Sequence, residues 1–160
     1  MLKIKIIAMG KLTEAYTKEA AAEFVKRMGK TFQVTVVEPK PENLPMKPTD
    51  GEIAKALEKE AENILAELPA RAAVCAMCVE GKQLSSEEFA DYLEKQASAG
   101  VSEVCFLIGS SHGMSDKVKQ RANLRLSVSK MTFPHELFHI MLLEQIYRAG
   151  EIMNGSRYHK

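Results

Sequence analysis

The stretch SEVCFLIGSSHG, residues 102–113, decides the fold class of this 160-residue sequence. Residues 102–109 predict a strand that is apolar on both faces, and a turn containing Gly109 and Gly113 closes it. A strand that buries both of its faces is typical of a parallel sheet covered by helices. Ligands of such sheets bind outside the carboxyl ends of the strands, so this turn is a candidate binding site.

Strand and helix patterns alternate through the rest of the chain. β-Branched or apolar runs predict further strands over residues 3–9, 32–38, 72–79 and 124–129. Helix-forming runs predict helices over residues 13–28, 52–68, 85–98, 116–121 and 135–153. Asp50 is a candidate cap for the second helix, and Ser85 with Glu88 forms a capping box for the third.

This alternation predicts an α/β fold, a parallel sheet with helices on both faces, in one domain of residues 1–160. Residues 39–48 carry four prolines and predict a loop. The composition is 46% hydrophobic and 27% charged, as in ordinary soluble proteins. We find no signal-peptide pattern and no apolar run of membrane-spanning length, so we expect a cytoplasmic protein without a membrane partner.

Charge and cysteine content exclude some classes of function. A net charge of +1 does not indicate a general nucleic-acid binder, although it allows a local basic patch. The three cysteines, without a secretory signal, argue against a disulfide scaffold. Cys75 and Cys78 form C-x-x-C, but residues three apart on a strand point to opposite faces. We therefore expect buried core thiols rather than a redox or zinc site.

Two other turns follow predicted strands, at Glu80-Gly81-Lys82 and at SVSKMTFPH, residues 127–135. Together with the turn after residue 109, they would lie at one edge of a parallel sheet. Glycines there allow a ligand to approach the backbone, or they only shape the turns.

The stretch FPHELFH, residues 133–139, contains H-E-x-x-H, a pattern of zinc hydrolases. His135 and His139 would face the same side of a helix, with Glu136 as the general base. A catalytic zinc also needs a third protein ligand. Positions 142 and 145, where an extended motif has Gly and His, hold Leu142 and Gln145. The zinc hypothesis is therefore the weaker one.

The C-terminal region gathers Arg148, Arg157, Tyr158 and His159. These residues form either a solvated tail or a surface that holds an RNA base and its phosphates. The apolar residues of the preceding helix would line either the core or a dimer interface.

Six segments occur in order from the first strand to the last residue: MLKIKIIAMGKL, VEGKQLSSEEFA, FLIGSSHGM, LSVSKMTFPHELF, LLEQIYRA and YHK. In this order they resemble the small SPOUT-class methyltransferases that modify a pseudouridine of 23S ribosomal RNA. The resemblance implies a deep trefoil knot in the C-terminal part and a homodimer. It also implies S-adenosyl-L-methionine as cofactor.

The activity implied by the resemblance is methylation of N3 of a pseudouridine on the assembled ribosome, with no DNA partner. By match of motif, the cofactor would contact Met77, Gly109, Val128, Ser129, Lys130, Met131, Thr132 and Phe133. The candidates for the catalytic residues are His135, Arg148, Tyr158 and His159. No metal is implied.

Two positions depart from the family pattern. Ser110 stands where the family typically has a second glycine, which it can replace if φ at that position is negative. His139 stands where many members have arginine, and the family has no fixed Glu at position 136. A ribosome-binding protein of the same fold, without catalysis, is therefore an alternative to the enzyme.

Overall fold

The protein, described here by a computed structural model over residues 1–159, consists of five strands and five helices that alternate along the chain. In order, the elements are β1 Leu2–Ala8, α1 Ala15–Met28, β2 Phe32–Val37, α2 Asp50–Ala66, β3 Ala73–Gln83, α3 Ser86–Ser98, β4 Glu103–Ile108, α4 Asp116–Arg121, β5 Leu124–Ser127 and α5 His135–Met153. None of the helices within this range is both long and apolar enough to cross a membrane.

The five strands form one parallel sheet in the order β2-β1-β4-β3-β5. A core cluster on each face of the sheet joins it to helices. On one face β1, β3 and β4 pack against α1, α3 and α5, and on the other against α2 and α4. The predicted α/β fold, a parallel sheet with helices on both faces, is confirmed.

The cysteine prediction is also confirmed. Cys75 belongs to the core cluster on one face and Cys78 to the cluster on the other. Both thiols, like Cys105, are free and buried. Burial raises the pKa of the Cys75 thiol, so it stays protonated and acts as a small apolar side chain.

Two predicted element ends are wrong. Asp50 does not cap α2. The cap is Thr49, whose hydroxyl accepts from the Glu52 N–H at 3.2 Å while the Glu52 carboxylate accepts from the Thr49 N–H. The third strand does not end at residue 79 but continues through Glu80-Gly81 to Gln83. The other ends agree within two residues.

The extension of β3 depends on a long-range contact. Its pairing with β5 shifts register between Met77 and Lys82, so the strand bulges and then pairs again. At Gly81 an added Cβ would lie 2.8 Å from the backbone of Arg125 in β5. Glycine therefore serves a close approach of two strands here, rather than the turn expected from the sequence.

Candidate functional site

A cavity of about 520 Å³ lies outside the carboxyl ends of β3, β4 and β5, in the size range of small-molecule sites. Of the eight residues expected to contact the cofactor, seven line it: Met77, Gly109, Val128, Ser129, Met131, Thr132 and Phe133. The eighth, Lys130, is not among the lining residues. The chain segments that follow β4 and β5 thus converge as the sheet argument expected.

The turn after β4 is shaped by two glycines. A Cβ at Gly109 would lie 2.4 Å from the Gly113 carbonyl oxygen and 2.6 Å from Cγ of Met114, so no other residue fits there without displacement. Gly113 has φ of +87°, and its N–H donates to the Ser110 carbonyl at 2.8 Å. Ser110 itself does not have a positive φ, so serine is tolerated at this position.

His135 forms part of the cavity wall at the start of α5. Its Nε2 is buried and has no hydrogen-bond partner among the described residues. Burial lowers the pKa of His135, and this effect outweighs the opposite effects of the Glu136 carboxylate and the Gly109 backbone carbonyl. The ring is therefore neutral at pH 7 and forms part of the wall, with Nε2 covered by the protein.

Glu136 has a structural role at the first turn of another helix. Its carboxylate accepts from the Thr13 N–H at 2.6 Å, the Thr13 hydroxyl at 2.7 Å and the Thr17 hydroxyl at 2.9 Å. It also accepts from the Glu14 N–H at 3.1 Å, just before α1 begins. These bonds, those from Thr13 and Glu14 above all, lower the pKa of Glu136 to about 2. The carboxylate thus caps α1 from outside the helix.

The second histidine of H-E-x-x-H lies in the core. His139 is 1% exposed, and neither ring nitrogen has a hydrogen-bond partner within the described part of the chain. Burial lowers its pKa. Residues 1–159 contain no group of three or more His, Cys, Asp or Glu side chains placed to hold a metal ion. Glu136 therefore caps a helix and His139 packs in the core. Neither has the surroundings of the general base or the zinc ligand that the zinc hypothesis assigned to it.

The other end of α5 carries a cluster of charged and aromatic groups, which we call the tail cluster: Glu144, Arg148, Tyr158 and His159. The Arg148 Nε donates to Glu144 at 3.0 Å, and the Tyr158 hydroxyl donates to the same carboxylate at 3.2 Å. The guanidinium lies 4.8 Å from the centre of the Tyr158 ring and 3.5 Å from Nδ1 of His159. Three of the four candidate catalytic residues thus lie together.

His135 is separate from the tail cluster. It precedes Arg148 by thirteen positions on one helix, which corresponds to about 20 Å along the axis. Arg157 is exposed, and none of the side-chain hydrogen bonds or ion pairs described involves it. One chain therefore presents a cavity at one end of α5 and a polar cluster at the other.

Comparison with known families assigns this architecture. The family model described as "Predicted SPOUT methyltransferase" matches residues 2–159, nearly the whole chain. The chain belongs to the SPOUT methyltransferase family. SPOUT methyltransferases generally take their methyl group from S-adenosyl-L-methionine, and the cavity at the strand ends fits that cofactor in volume. Apolar side chains such as Met77, Val128 and Phe133 line the cavity and are available for its adenine.

The residues that orient the tail of this SPOUT methyltransferase were not predicted from the sequence. Glu144 holds both Arg148 and Tyr158, and Glu87 in α3 lies 2.7 Å from Nε2 of His159. The four-residue spacing of Glu144 and Arg148 is a recognised helical ion-pair signal and could have indicated the first contact. The contact with Glu87 joins positions 72 apart and had no local signal.

Proposed function

We propose that this protein transfers the methyl group of S-adenosyl-L-methionine to N3 of a pseudouridine in 23S ribosomal RNA, acting on the assembled ribosome in the cytoplasm. The observation that carries the proposal is the convergence of the cofactor candidates on one cavity, from Met77 to Phe133. The tail cluster supports the RNA part, because Arg, Tyr and His side chains suit a base and its phosphates.

The proposal includes a homodimer and a deep trefoil knot in the C-terminal part. Support for the dimer comes from the separation of about 20 Å between His135 and Arg148 along α5. A single chain would hold the cofactor and the tail cluster too far apart for one reaction. In a two-fold dimer, the tail of one subunit can complete the cavity of the other.

The bound cofactor supplies a methyl group on a positively charged sulfur. Gly109, residues 128–129 and residues 131–133 would hold it at the strand ends. N3 of the base must lose its proton to attack, and the neutral His135 ring in the cavity wall is the proposed proton acceptor. Arg148, held by Glu144, would stabilise the negative charge that develops on the base, while Tyr158 and His159 position it.

The assembled ribosome is the proposed substrate because the chain has little surface for reading an RNA sequence. Its net charge is +1, and its fold contains a single sheet whose helices cover both faces. Recognition of a folded ribosomal surface would place the target base without a separate RNA-binding domain. We expect this binding to weaken as the salt concentration rises.

The test is transfer of a labelled methyl group from S-adenosyl-L-methionine to ribosomes that lack the modification. Mass spectrometry of the digested RNA should detect N3-methylpseudouridine, and purified 23S RNA should accept far less label. Ribosomes that carry uridine in place of the pseudouridine serve as the matched control. Ribosome binding without any methyl transfer would instead support the non-catalytic alternative.

Mixed dimers test the composite site. Arg148→Ala impairs the tail cluster and Gly109→Ala impairs the cavity, so at a cofactor concentration near the wild-type Kd each variant alone should be strongly impaired. In an equal mixture, a heterodimer keeps one intact site, and roughly a quarter of the wild-type sites should be recovered. If the mixture stays as inactive as the separate variants after verified subunit exchange, the composite site is wrong.

A further inference from the structure

Glu60 is a buried carboxylate in α2, and it does not line the cofactor cavity. Glu60 is 3% exposed. No lysine, arginine or histidine within residues 1–159 forms an ion pair with it. Both oxygens are used instead. Oε1 accepts from the Ser110 hydroxyl at 2.7 Å, and Oε2 accepts from the Glu42 N–H at 2.9 Å.

These two bonds join α2 to two segments that are distant in sequence. Ser110 follows Gly109 directly and lines the cavity, so the first bond reaches the turn at residues 109–113. The second reaches Glu42, in the proline-rich segment at residues 39–48. A carboxylate without a counter-charge is costly to bury unless hydrogen bonds compensate it. Glu60 therefore favours conformations in which both segments stay in place.

The turn at residues 109–113 has few other restraints. Among the turn's own side chains within the described residues, Ser110 alone forms a side-chain hydrogen bond, to Glu60, while the Gly109 carbonyl contacts the His135 ring. Its other internal restraint is the backbone bond from the Gly113 N–H to the Ser110 carbonyl. A glycine at position 110 would have no hydroxyl and could not make the contact with Glu60.

We propose that Glu60 is a positioning residue for the cofactor site, and that it acts through Ser110. It holds the turn at residues 109–113 in the shape that forms the cavity, and it fastens the proline-rich segment to the same carboxylate. This inference rests on the proposed function, since it concerns the cavity assigned there to S-adenosyl-L-methionine.

The test compares Ser110→Ala and Glu60→Gln with wild type by calorimetric titration of S-adenosyl-L-methionine. Because hydrogen bonds to charged groups are strong, Ser110→Ala should weaken binding by about tenfold. Glu60→Gln should weaken it less, since the amide keeps one acceptor. The double variant should be no weaker than Ser110→Ala alone, because Ser110→Ala already removes the contact through which Glu60 acts on the turn. Glu58→Gln, an exposed site on α2, is the matched control.

A second set of readouts separates positioning from general stability. Ser110→Ala should raise KM for the cofactor while kcat at saturation stays near wild type, and Ser110→Thr, which keeps the hydroxyl, should restore binding. Hydrogen exchange at the Gly113 amide should accelerate in Ser110→Ala, and at both the Gly113 and Glu42 amides in Glu60→Gln.

The outcomes distinguish this inference from the proposed function. Wild-type affinity and unchanged exchange in Ser110→Ala would overturn the inference and leave the proposed function intact. If the wild-type protein binds no cofactor, the proposed function fails in that assay. Hydrogen exchange would then still decide whether Glu60 holds the turn.

Discussion

The two ends of α5 differ in how their polar residues are buried and paired. At the N-terminal end, His135 and His139 have buried ring nitrogens without partners among residues 1–159, and the Glu136 carboxylate binds the start of α1. At the C-terminal end, Arg148 is paired with Glu144 and His159 with Glu87, in partly exposed surroundings. One helix therefore carries buried histidines at the end beside the cavity and paired, partly exposed charged side chains at the end beside the tail.

This difference shows that the spacing of residues in the sequence and their surroundings in the fold can indicate different functions. H-E-x-x-H has the spacing of a zinc site, but its members contact the core and a helix terminus. The tail has no recognised spacing, yet its side chains converge through contacts with Glu144 and Glu87. The surroundings of the residues, more than their spacing in the sequence, distinguish the end of α5 suited to a cofactor from the end suited to an anionic substrate.

The largest expected effect concerns the tail end. Arg148→Ala should lower kcat for methyl transfer roughly 100- to 1,000-fold, as for the loss of a group that stabilises charge in the transition state. Affinity for S-adenosyl-L-methionine should change little, because the cofactor is assigned to the residues that line the cavity and Arg148 is assigned to the base. Single-turnover assays and calorimetry measure the two quantities. Arg148→Lys should be intermediate, since lysine keeps the charge without the planar fork.

If Arg148→Ala lost cofactor affinity as strongly as turnover, the two ends of α5 would not be separable. The comparison would then have to be abandoned in favour of one continuous site within each chain.

The next effect concerns the cavity end. Gly109→Ala should weaken cofactor binding roughly 10- to 100-fold, because the new methyl group overlaps the Gly113 carbonyl and Met114. Calorimetric titration measures the loss. Gly51→Ala, in the first turn of α2 with no close neighbour, is the matched control and should bind as wild type does. Equal affinity in Gly109→Ala would show that the turn can move away at little cost.

A smaller effect is expected on stability at the first turn of α5. Glu136→Ala removes four hydrogen bonds at the start of α1 and should lower Tm by roughly 2–6 °C, as for the loss of a helix cap. Glu151→Ala, on the same helix and without a side-chain hydrogen bond to the residues that the structure describes, should not change Tm. Thermal unfolding followed by circular dichroism measures the shift.

The pH dependence of this effect has a defined sign. The pKa of Glu136 is lowered from 4.5 to about 2, so its contribution is complete above pH 4.5 and is lost as the pH falls toward 2. The Tm difference between wild type and Glu136→Ala should shrink over that interval. A constant difference down to pH 3 would contradict the capping role of the carboxylate.

The smallest effect belongs to His139. Burial lowers its pKa below the ordinary value of 6.5, so only the unfolded chain takes up a proton just below that pH. Wild type should lose stability as the pH falls through 6.5, and His139→Leu should be spared roughly 1–3 °C of the fall in Tm between pH 7.5 and pH 5.5. Parallel pH profiles for the two proteins would mean that His139 is protonated inside the fold.

Local signals in the sequence were enough for most of the fold. The bounds of α4 and α5 were predicted to the residue, because Pro134 and Asp116 mark clear starts. The end of β3 was missed, since it depends on the approach of β5 to Gly81. The cap of α2 was misplaced by one residue because Thr49 and Asp50 are both good capping residues and only geometry separates them.

Less of the candidate site could be predicted from neighbouring residues in the sequence. The turns at residues 109–113 and 127–135 were predictable from their positions after strands, but the individual contacts came from the family resemblance. The role of Glu136 joins residues 123 positions apart, and that of Glu60 joins residues 50 apart. Such contacts are set by the packing of whole helices, which leaves no trace in the spacing of neighbouring residues.

The order of the strands also affects how the chain reaches its native state. β1 pairs with β4, so Ile4 lies beside Val104, 100 positions later in the chain. During synthesis, the apolar residues Ile4, Ile6 and Ile7 have no partner on that side until β4 has emerged, after about two thirds of the chain. Folding dominated by such distant pairs is slow and passes through intermediates that expose apolar surface and are prone to aggregate. We expect the nascent protein to depend on chaperones more than its small size suggests.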